Sequence, residues 1–87
     1  MTKKNILLVA GTADDYKTFA EANDLGPSNY HVGKTANIFK GKHHISVIFI
    51  EGWRARPDAM AMIQAANEAE VRGIKIIEAK VDQILYL

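Results

Sequence analysis

The sequence predicts a small α/β domain in which a mainly parallel, four-stranded sheet lies between two helices. Two apolar runs, Ile6–Ala10 and Ile45–Ile50, have the length of strands, and the second is interrupted only by a small serine. Strands that are apolar on both faces are covered on both faces, as in the centre of a parallel sheet. Each run is followed by a glycine turn and a segment with helical spacing, so strands and helices alternate along the chain.

Size and composition set limits on what the chain does. With 87 residues, it is expected to form one domain over 1–87, near the lower limit for a self-sufficient core, so we expect self-association or a protein partner. The absence of cysteine excludes a disulfide framework and fits a cytoplasmic setting. A net charge of +1 predicts no global attraction to nucleic acid or to an anionic membrane, and no apolar run reaches the length of a membrane span.

The first helix is predicted after Gly11, with Thr12 as its N-cap and Asp15 three residues later. Its buried positions are expected to be Tyr16, Phe19, Ala20 and Asn23. Gly26 is predicted as a left-handed cap, and Pro27 forbids continuation of the helix. A short edge strand over Tyr30–Thr35 follows, whereas residues 36–44 are compatible with either a helical turn or a hairpin.

The second helix is predicted to start with Pro57 at its first helical position and to run to about Arg72. Its inner stripe is expected to contain Ala59, Met62, Ile63, Ala66, Ala69 and Gly73. The segment Ile74–Val81 is predicted to be the last strand, and its interspersed polar residues favour a sheet edge. The apolar tail that follows is expected to pack on the domain or on another subunit.

Right-handed crossovers and two central apolar strands give the strand order 2-1-3-4, the doubly wound, Rossmann-like arrangement. The chain leaves strands 1 and 3 in opposite directions, and their carboxyl ends therefore flank a crevice where such sheets bind ligands. The residues expected there are Gly11, Thr12 and Asp14 after strand 1, and Glu51, Gly52, Trp53, Arg54 and Arg56 after strand 3.

The Trp53-Arg54-Ala55-Arg56 loop has two interpretations. An indole with two guanidinium groups is able to stack on a base or sugar and to bind phosphate or carboxylate. Alternatively, Trp53 covers the end of the core, and the arginines are solvated or pair with Asp14, Asp15 or Asp58. Glu51 alone makes a weak case for a general base, and we therefore predict no catalytic residues, no metal and no cofactor.

Two further patterns lie in the middle of the chain. Gly33-Lys34-Thr35 looks like part of a phosphate-binding loop, but Ser28 stands where that motif requires its first glycine. The segment Lys34–His44 is basic and is a candidate for contact with a nucleic-acid backbone, although a solvated loop is favoured because the whole chain is nearly neutral.

The chain is similar to small Rossmann-like SLOG proteins in Val9–Tyr16, Val47–Gly52 and Arg72–Ile77, although Trp53 follows Gly52 where those proteins tend to have a second glycine. That resemblance implies binding of nucleotide-derived ligands at the strand ends. The stretch Gly52–Asp58 also resembles one found in short α/β proteins of bacteriophages, which implies no established activity.

The sequence therefore favours a small non-enzymatic binding or accessory protein, with phage origin as one interpretation. It would act through a protein or ligand interface at the carboxyl ends of strands 1 and 3. The alternatives are a nucleotide-binding or nucleotide-processing protein, and nucleic-acid binding through Lys34–His44.

Overall fold

A computed structural model of the chain describes residues 6–26, 30–33 and 46–85. Its strands are β1 (Ile6–Val9), β2 (Tyr30–Val32), β3 (Ser46–Ile50) and β4 (Lys75–Ala79), and its helices are α1 (Ala13–Ala22) and α2 (Ala59–Val71). The four strands form one sheet in the order β2-β1-β3-β4, and every pair is parallel. This confirms the predicted fold class and strand order.

Each face of the sheet carries one helix, because β1 and β3 present apolar side chains on both sides. Ile48 and Ile50 pack with Phe19 of α1, whereas Val47 and Phe49 pack with Met62 of α2. Strand β3 is therefore apolar on both faces, as predicted, and the core consists of two apolar layers separated by the sheet.

Helix α1 begins as predicted but ends differently. The Thr12 side chain accepts a hydrogen bond of 3.2 Å from the Asp15 amide, which is the expected cap. The residue in the left-handed conformation is Asp24, with φ of 55°, and the prediction that Gly26 fills that role was wrong. Aspartate tolerates this conformation better than most residues, so the chain leaves the helix two residues early.

Helix α2 corrects two further predictions. It starts at Ala59 with Asp58 as its N-cap, so Pro57 precedes the helix instead of opening it. Ile63 keeps 38% of its surface exposed and does not belong to the inner stripe, which consists of Met62, Ala66 and Ala69 with Ala59 partly buried. Gly73, with φ of 93°, follows the helix as a left-handed residue.

The outer strands are shorter than predicted. Strand β2 ends at Val32 and β4 ends at Ala79, whereas the predictions extended to Thr35 and Val81. Thr35 itself lies outside the described residues. The segment that follows β4 packs back on the α1 face through Val81 and Leu85. Within residues 6–26, 30–33 and 46–85, no helix is long and apolar enough to cross a membrane.

Candidate functional site

The loops after β1 and β3 touch each other at the point where the sequence predicts a crevice. A Cβ atom placed on Gly11 would lie 2.6 Å from the carbonyl oxygen of Gly52, a distance that real Cβ atoms do not adopt. Gly52 itself has φ of 99°, which favours glycine. The two loops that were expected to flank the crevice therefore meet backbone to backbone, and the open space lies on either side of this contact.

One space, the β1–β2 hollow, lies at the carboxyl ends of β1 and β2 and has a volume of about 370 Å³. It is lined by Ala10, Gly11, Thr12, Ala13, Tyr16, Val32, Arg56 and Pro57. The Thr12 hydroxyl in its wall already accepts the capping hydrogen bond of α1. Asp14 and Asp15 occupy the first turn of that helix, and their charges disfavour an anion at its N-terminus.

Arg56 links four segments of the chain beside this hollow. Its guanidinium donates two hydrogen bonds to the carboxylate of Asp58, at 2.8 and 3.0 Å. It also donates to the carbonyl of Ala10 at 3.0 Å and to the hydroxyl of Tyr16 at 2.9 Å. That hydroxyl lies 3.1 Å from the carbonyl of Gly33, so the loops after β1, β2 and β3 and helix α1 are joined.

The ion pair of Arg56 and Asp58 shifts both groups in the expected directions. Hydrogen bonds from Arg56 lower the pKa of Asp58, and the same bonds raise the pKa of Arg56 against the effect of its burial. The Arg56 side chain is only 10% exposed. Of the sequence-based interpretations, pairing with Asp58 is therefore the one that the structure shows for Arg56.

A second space, the β3–β4 hollow, lies at the carboxyl ends of β3 and β4 and has a volume of about 320 Å³. It is lined by Phe49, Glu51, Gly52, Trp53, Arg54, Glu78, Ala79, Lys80 and Gln83. The Glu51 amide donates to the carbonyl of Ala79 at 2.8 Å, which extends the ladder one residue past the end of β3. The exposed Glu51 side chain is left at the rim of the hollow.

Trp53 contributes apolar surface to the lining of this hollow. The residue is 5% exposed, and the centroid of its ring lies 4.4 Å from that of the Phe49 ring. The guanidinium carbon of Arg54 lies 5.0 Å from the centroid of the indole, and Arg54 contacts Glu78 at 3.4 Å. The indole is therefore part of the core. The Arg54 side chain, which lies over the indole, is 73% exposed and faces solvent.

A third space, the α2–β4 hollow, adjoins the second and has a volume of about 200 Å³. It is lined by Phe49, Trp53, Arg54, Ile63, Ala66, Asn67, Ile76 and Glu78. Four of these residues also line the β3–β4 hollow, so the two spaces form one continuous surface. We call it the β4 surface.

The structure separates the predicted site residues into two groups. Gly11, Thr12 and Arg56 line the β1–β2 hollow, whereas Glu51, Gly52, Trp53 and Arg54 line the β3–β4 hollow. Asp14 is exposed on the first turn of α1. The basic segment Lys34–His44 lies outside the described residues.

Sequence reasoning missed Ile63, Ile76 and Glu78 as neighbours of Trp53 and Arg54. A signal for part of this surface exists in the sequence, because residues 59–67 contain no charged side chain although their helix has an exposed face. Within the described residues, no group of three or more His, Cys, Asp or Glu side chains is placed to hold a metal ion.

Comparisons with protein-family models, with curated proteins and with solved structures found no match to this chain. The resemblances to SLOG proteins and to bacteriophage proteins therefore stay predictions.

Proposed function

We propose that the chain is a non-enzymatic binding protein that contacts another protein through the β4 surface. The observation that carries this proposal is an exposed arginine, Arg54, held over the buried Trp53 ring beside an open apolar hollow. Arginine and tryptophan dominate the energetics of protein interfaces when they lie next to well-packed apolar surface. Here the guanidinium already lies over the indole before any partner binds, which would reduce the entropic cost of binding.

The composition of the surface supports a protein partner. Ile63 and Ile76 supply apolar area that α2 leaves partly uncovered, and the rim is polar. Met60, on the same uncharged stretch of α2, is 73% exposed. An apolar centre that is depleted in charge and surrounded by polar residues is the usual anatomy of a protein interface.

The chemistry of the surface suggests how the partner binds. An apolar side chain of the partner would enter the α2–β4 hollow beside Ile63. A carboxylate next to it would bind Arg54 in place of Glu78, whose single contact of 3.4 Å is long and exposed. The partner is therefore expected to carry a large apolar residue close to an aspartate or glutamate.

Affinity capture with matched variants tests this proposal. The full chain and the variants Ile63→Asp and Arg54→Glu are immobilised, and the same cell lysate is applied to each. The proteins that each retains are quantified by mass spectrometry. We expect both variants to lose at least nine-tenths of a protein retained by the unchanged chain, since a buried unpaired charge costs several kcal/mol. Ile84→Asp is the control, because Ile84 is also an exposed isoleucine but lies outside the β4 surface.

Retention of every captured protein by both variants would refute this use of the surface. Loss on Ile84→Asp as well would assign the contact to a different face of the domain.

A second candidate, nucleotide binding, is favoured by the β1–β2 hollow, an open space of about 370 Å³ at the carboxyl ends of β1 and β2, where doubly wound sheets bind ligands. The charges of Asp14 and Asp15 in the first turn of α1 weigh against a phosphate group at that helix end. Thermal unfolding with millimolar nucleotides tests nucleotide binding, because a saturating ligand raises the free energy of unfolding by a few kcal/mol. Unchanged melting temperatures across the panel would exclude this candidate.

A further inference from the structure

Strand β4 forms one edge of the sheet and has a neighbouring strand on one side only. Among the described strands, β3 lies beside β4 and none lies beyond it. The Ala79 carbonyl accepts a hydrogen bond from the Glu51 amide and therefore points towards β3. Successive residues of a strand direct their backbone groups to opposite edges. The N–H and carbonyl groups of Ile76 and Glu78 therefore point away from the sheet.

The two ends of this open edge already have hydrogen-bond partners within the chain. The outward amide of Ile74 donates to the carbonyl of Ala69 at 3.1 Å. At the other end, the outward amide of Lys80 donates to the side-chain oxygen of Gln83 at 3.0 Å. The backbone groups that an added strand would bind are therefore those of the two outward-facing residues between these ends.

Ile76 and Glu78 also share the face of the sheet that carries α2. Ile76 packs on the core cluster of that face, and Glu78 lines the α2–β4 hollow. Strand β4 therefore carries a large apolar side chain and a carboxylate two residues apart on one face. This is the combination expected of a partner for the β4 surface, where Ile63 offers apolar area and Arg54 offers a cation. The β4 surface is thus complementary to the strand that borders it.

We propose that β4 pairs in antiparallel orientation with β4 of a second copy of this chain, about a two-fold axis at Ile77. Ile76 of each copy then lies opposite Glu78 of the other, and every outward N–H and carbonyl of these two residues is bonded. An axis perpendicular to the sheet keeps each helix on its own face and joins the two four-stranded sheets into one. This inference rests on the proposed function, because it identifies a partner of the β4 surface as a second copy.

The positions of charged residues along β4 favour this register. Glu78 lies opposite Ile76, and Lys75 lies opposite the buried Ala79 of the other copy. Like charges directly opposite each other destabilise a strand pair, and an axis at Glu78 would create such a pair of carboxylates. An axis at Ile76 would leave the Glu78 carbonyl unpaired, because the facing amide, that of Ile74, already has an acceptor in its own chain.

The two Glu78 carboxylates lie diagonally across the proposed pair, and Arg54 offsets their repulsion. Diagonal neighbours are about 7–8 Å apart, which long side chains are able to span. Arg54 of each copy contacts its own Glu78 at 3.4 Å and is 73% exposed, so its guanidinium is able to approach both carboxylates. The net charge of +1 adds little repulsion between whole copies.

Two substitutions at one position test the pairing, with the dissociation constant of the dimer measured by sedimentation equilibrium on the full chain. Glu78→Pro removes an outward amide and no bond of the ladder to β3, and proline is tolerated at such a position of an edge strand. Glu78→Gln keeps the amide and is the matched control. Because each dimer of Glu78→Pro loses two hydrogen bonds, we expect its dissociation constant to rise at least tenfold. Glu78→Gln is expected to change it less than threefold.

A cysteine on the two-fold axis tests the register without introducing proline. The chain contains no cysteine, so Ile77→Cys supplies a single thiol in each copy. In the proposed pair the two thiols face each other at a non-hydrogen-bonded position, where Cα atoms lie about 4.5 Å apart, within the range of a disulfide. Lys75→Cys is the control, since its thiol faces Ala79. With diamide as oxidant, we expect at least tenfold more covalent dimer from Ile77→Cys than from Lys75→Cys.

Three results would overturn the proposed dimer: a full chain that is monomeric at millimolar concentration, unweakened association of Glu78→Pro, or equal cross-linking of the two cysteine variants. If a monomeric chain still retains a lysate protein through Arg54 and Ile63, the second copy is overturned and the proposed function stands. If the dimer forms and is unaffected by Ile63→Asp and Arg54→Glu, the edge pairing stands and the proposed use of the β4 surface is refuted.

Discussion

The Arg56 linkage offers a direct test of how the strand ends are held together. Replacing Arg56 by methionine keeps an unbranched side chain of similar length but removes every donor. The change deletes the two hydrogen bonds to Asp58 and those to Ala10 and Tyr16. The buried Ala10 carbonyl then keeps only the longer contact with the Tyr16 hydroxyl, at 3.3 Å.

The expected cost follows from the charge and burial of these groups. Hydrogen bonds made by a charged group contribute about 1.5–3 kcal/mol, whereas an exposed ion pair contributes about 0–1 kcal/mol. Arg56 is 10% exposed, but Asp58 is 32% exposed, so the ion pair is partly screened. We therefore expect Arg56→Met to lower the free energy of unfolding by about 2–4 kcal/mol, measured by urea denaturation at pH 7.

Arg54→Met is the matched control, because it makes the same change two residues earlier at a side chain that is 73% exposed. Its single contact with Glu78, at 3.4 Å, predicts a loss below about 1 kcal/mol. Equal losses for the two variants, or a loss below about 1 kcal/mol for Arg56→Met, would show that the Arg56 linkage does not stabilise the strand ends.

Two more variants address the same region. Gly11→Ala forces a Cβ atom against the Gly52 carbonyl, and we expect a loss of about 1–3 kcal/mol in urea denaturation; an unchanged stability would show that the two loops separate easily. The second is Asp58→Asn. The folded-state pKa of Asp58 is lowered by Arg56, so the stability that its charge adds is present above its ordinary pKa of about 3.9 and is lost as pH falls through the folded pKa. The stability difference between the unchanged chain and Asp58→Asn should therefore shrink on acidification, and a constant difference between pH 6 and pH 2 would contradict this cause.

The strand order was predictable because it rests on properties that a sequence carries directly. The apolar character of Ile6–Ala10 and Ile45–Ile50 on both faces places these strands in the middle, and right-handed crossovers then leave one simple order. The exposed Lys75 and Glu78 mark β4 as an edge strand. The central or edge position of each strand follows from the pattern of side chains along that strand alone, and the general handedness of crossovers supplies the rest.

The ends of the elements were less predictable, because competing local interactions decide them. Asp58 stands at the N-cap of α2, but its carboxylate binds Arg56 instead of the first amides of the helix. Asp24 adopts the left-handed conformation before Gly26 is reached. Both outcomes depend on partners that are distant in the fold or on small energy differences between adjacent residues.

The sequence included Asp58 among the possible partners of the two arginines, but it could not select Asp58 for Arg56 and did not include Glu78, the partner of Arg54. Asp14, Asp15 and Asp58 were equally acceptable partners on sequence grounds. Arg56 directly follows the 3-10 helix Trp53–Ala55, and Trp53 is buried in the core cluster that includes α2. The position of Arg56, and with it the selection of Asp58 as partner, therefore depends on how this short helix packs.

The closed contact between Gly11 and Gly52 changes where a partner of this fold is expected. In an open doubly wound sheet, the switch point between β1 and β3 is the natural crevice. Here the two loops touch, and Arg56 joins them to α1 through bonds to Ala10 and Tyr16. The Trp53-Arg54 pair is turned instead towards β4, an edge strand whose α2-side residue Ile76 is only partly buried. An exposed edge strand and an apolar hollow are both stabilised when another element packs against them. We therefore expect a partner protein to bind at the β4 surface.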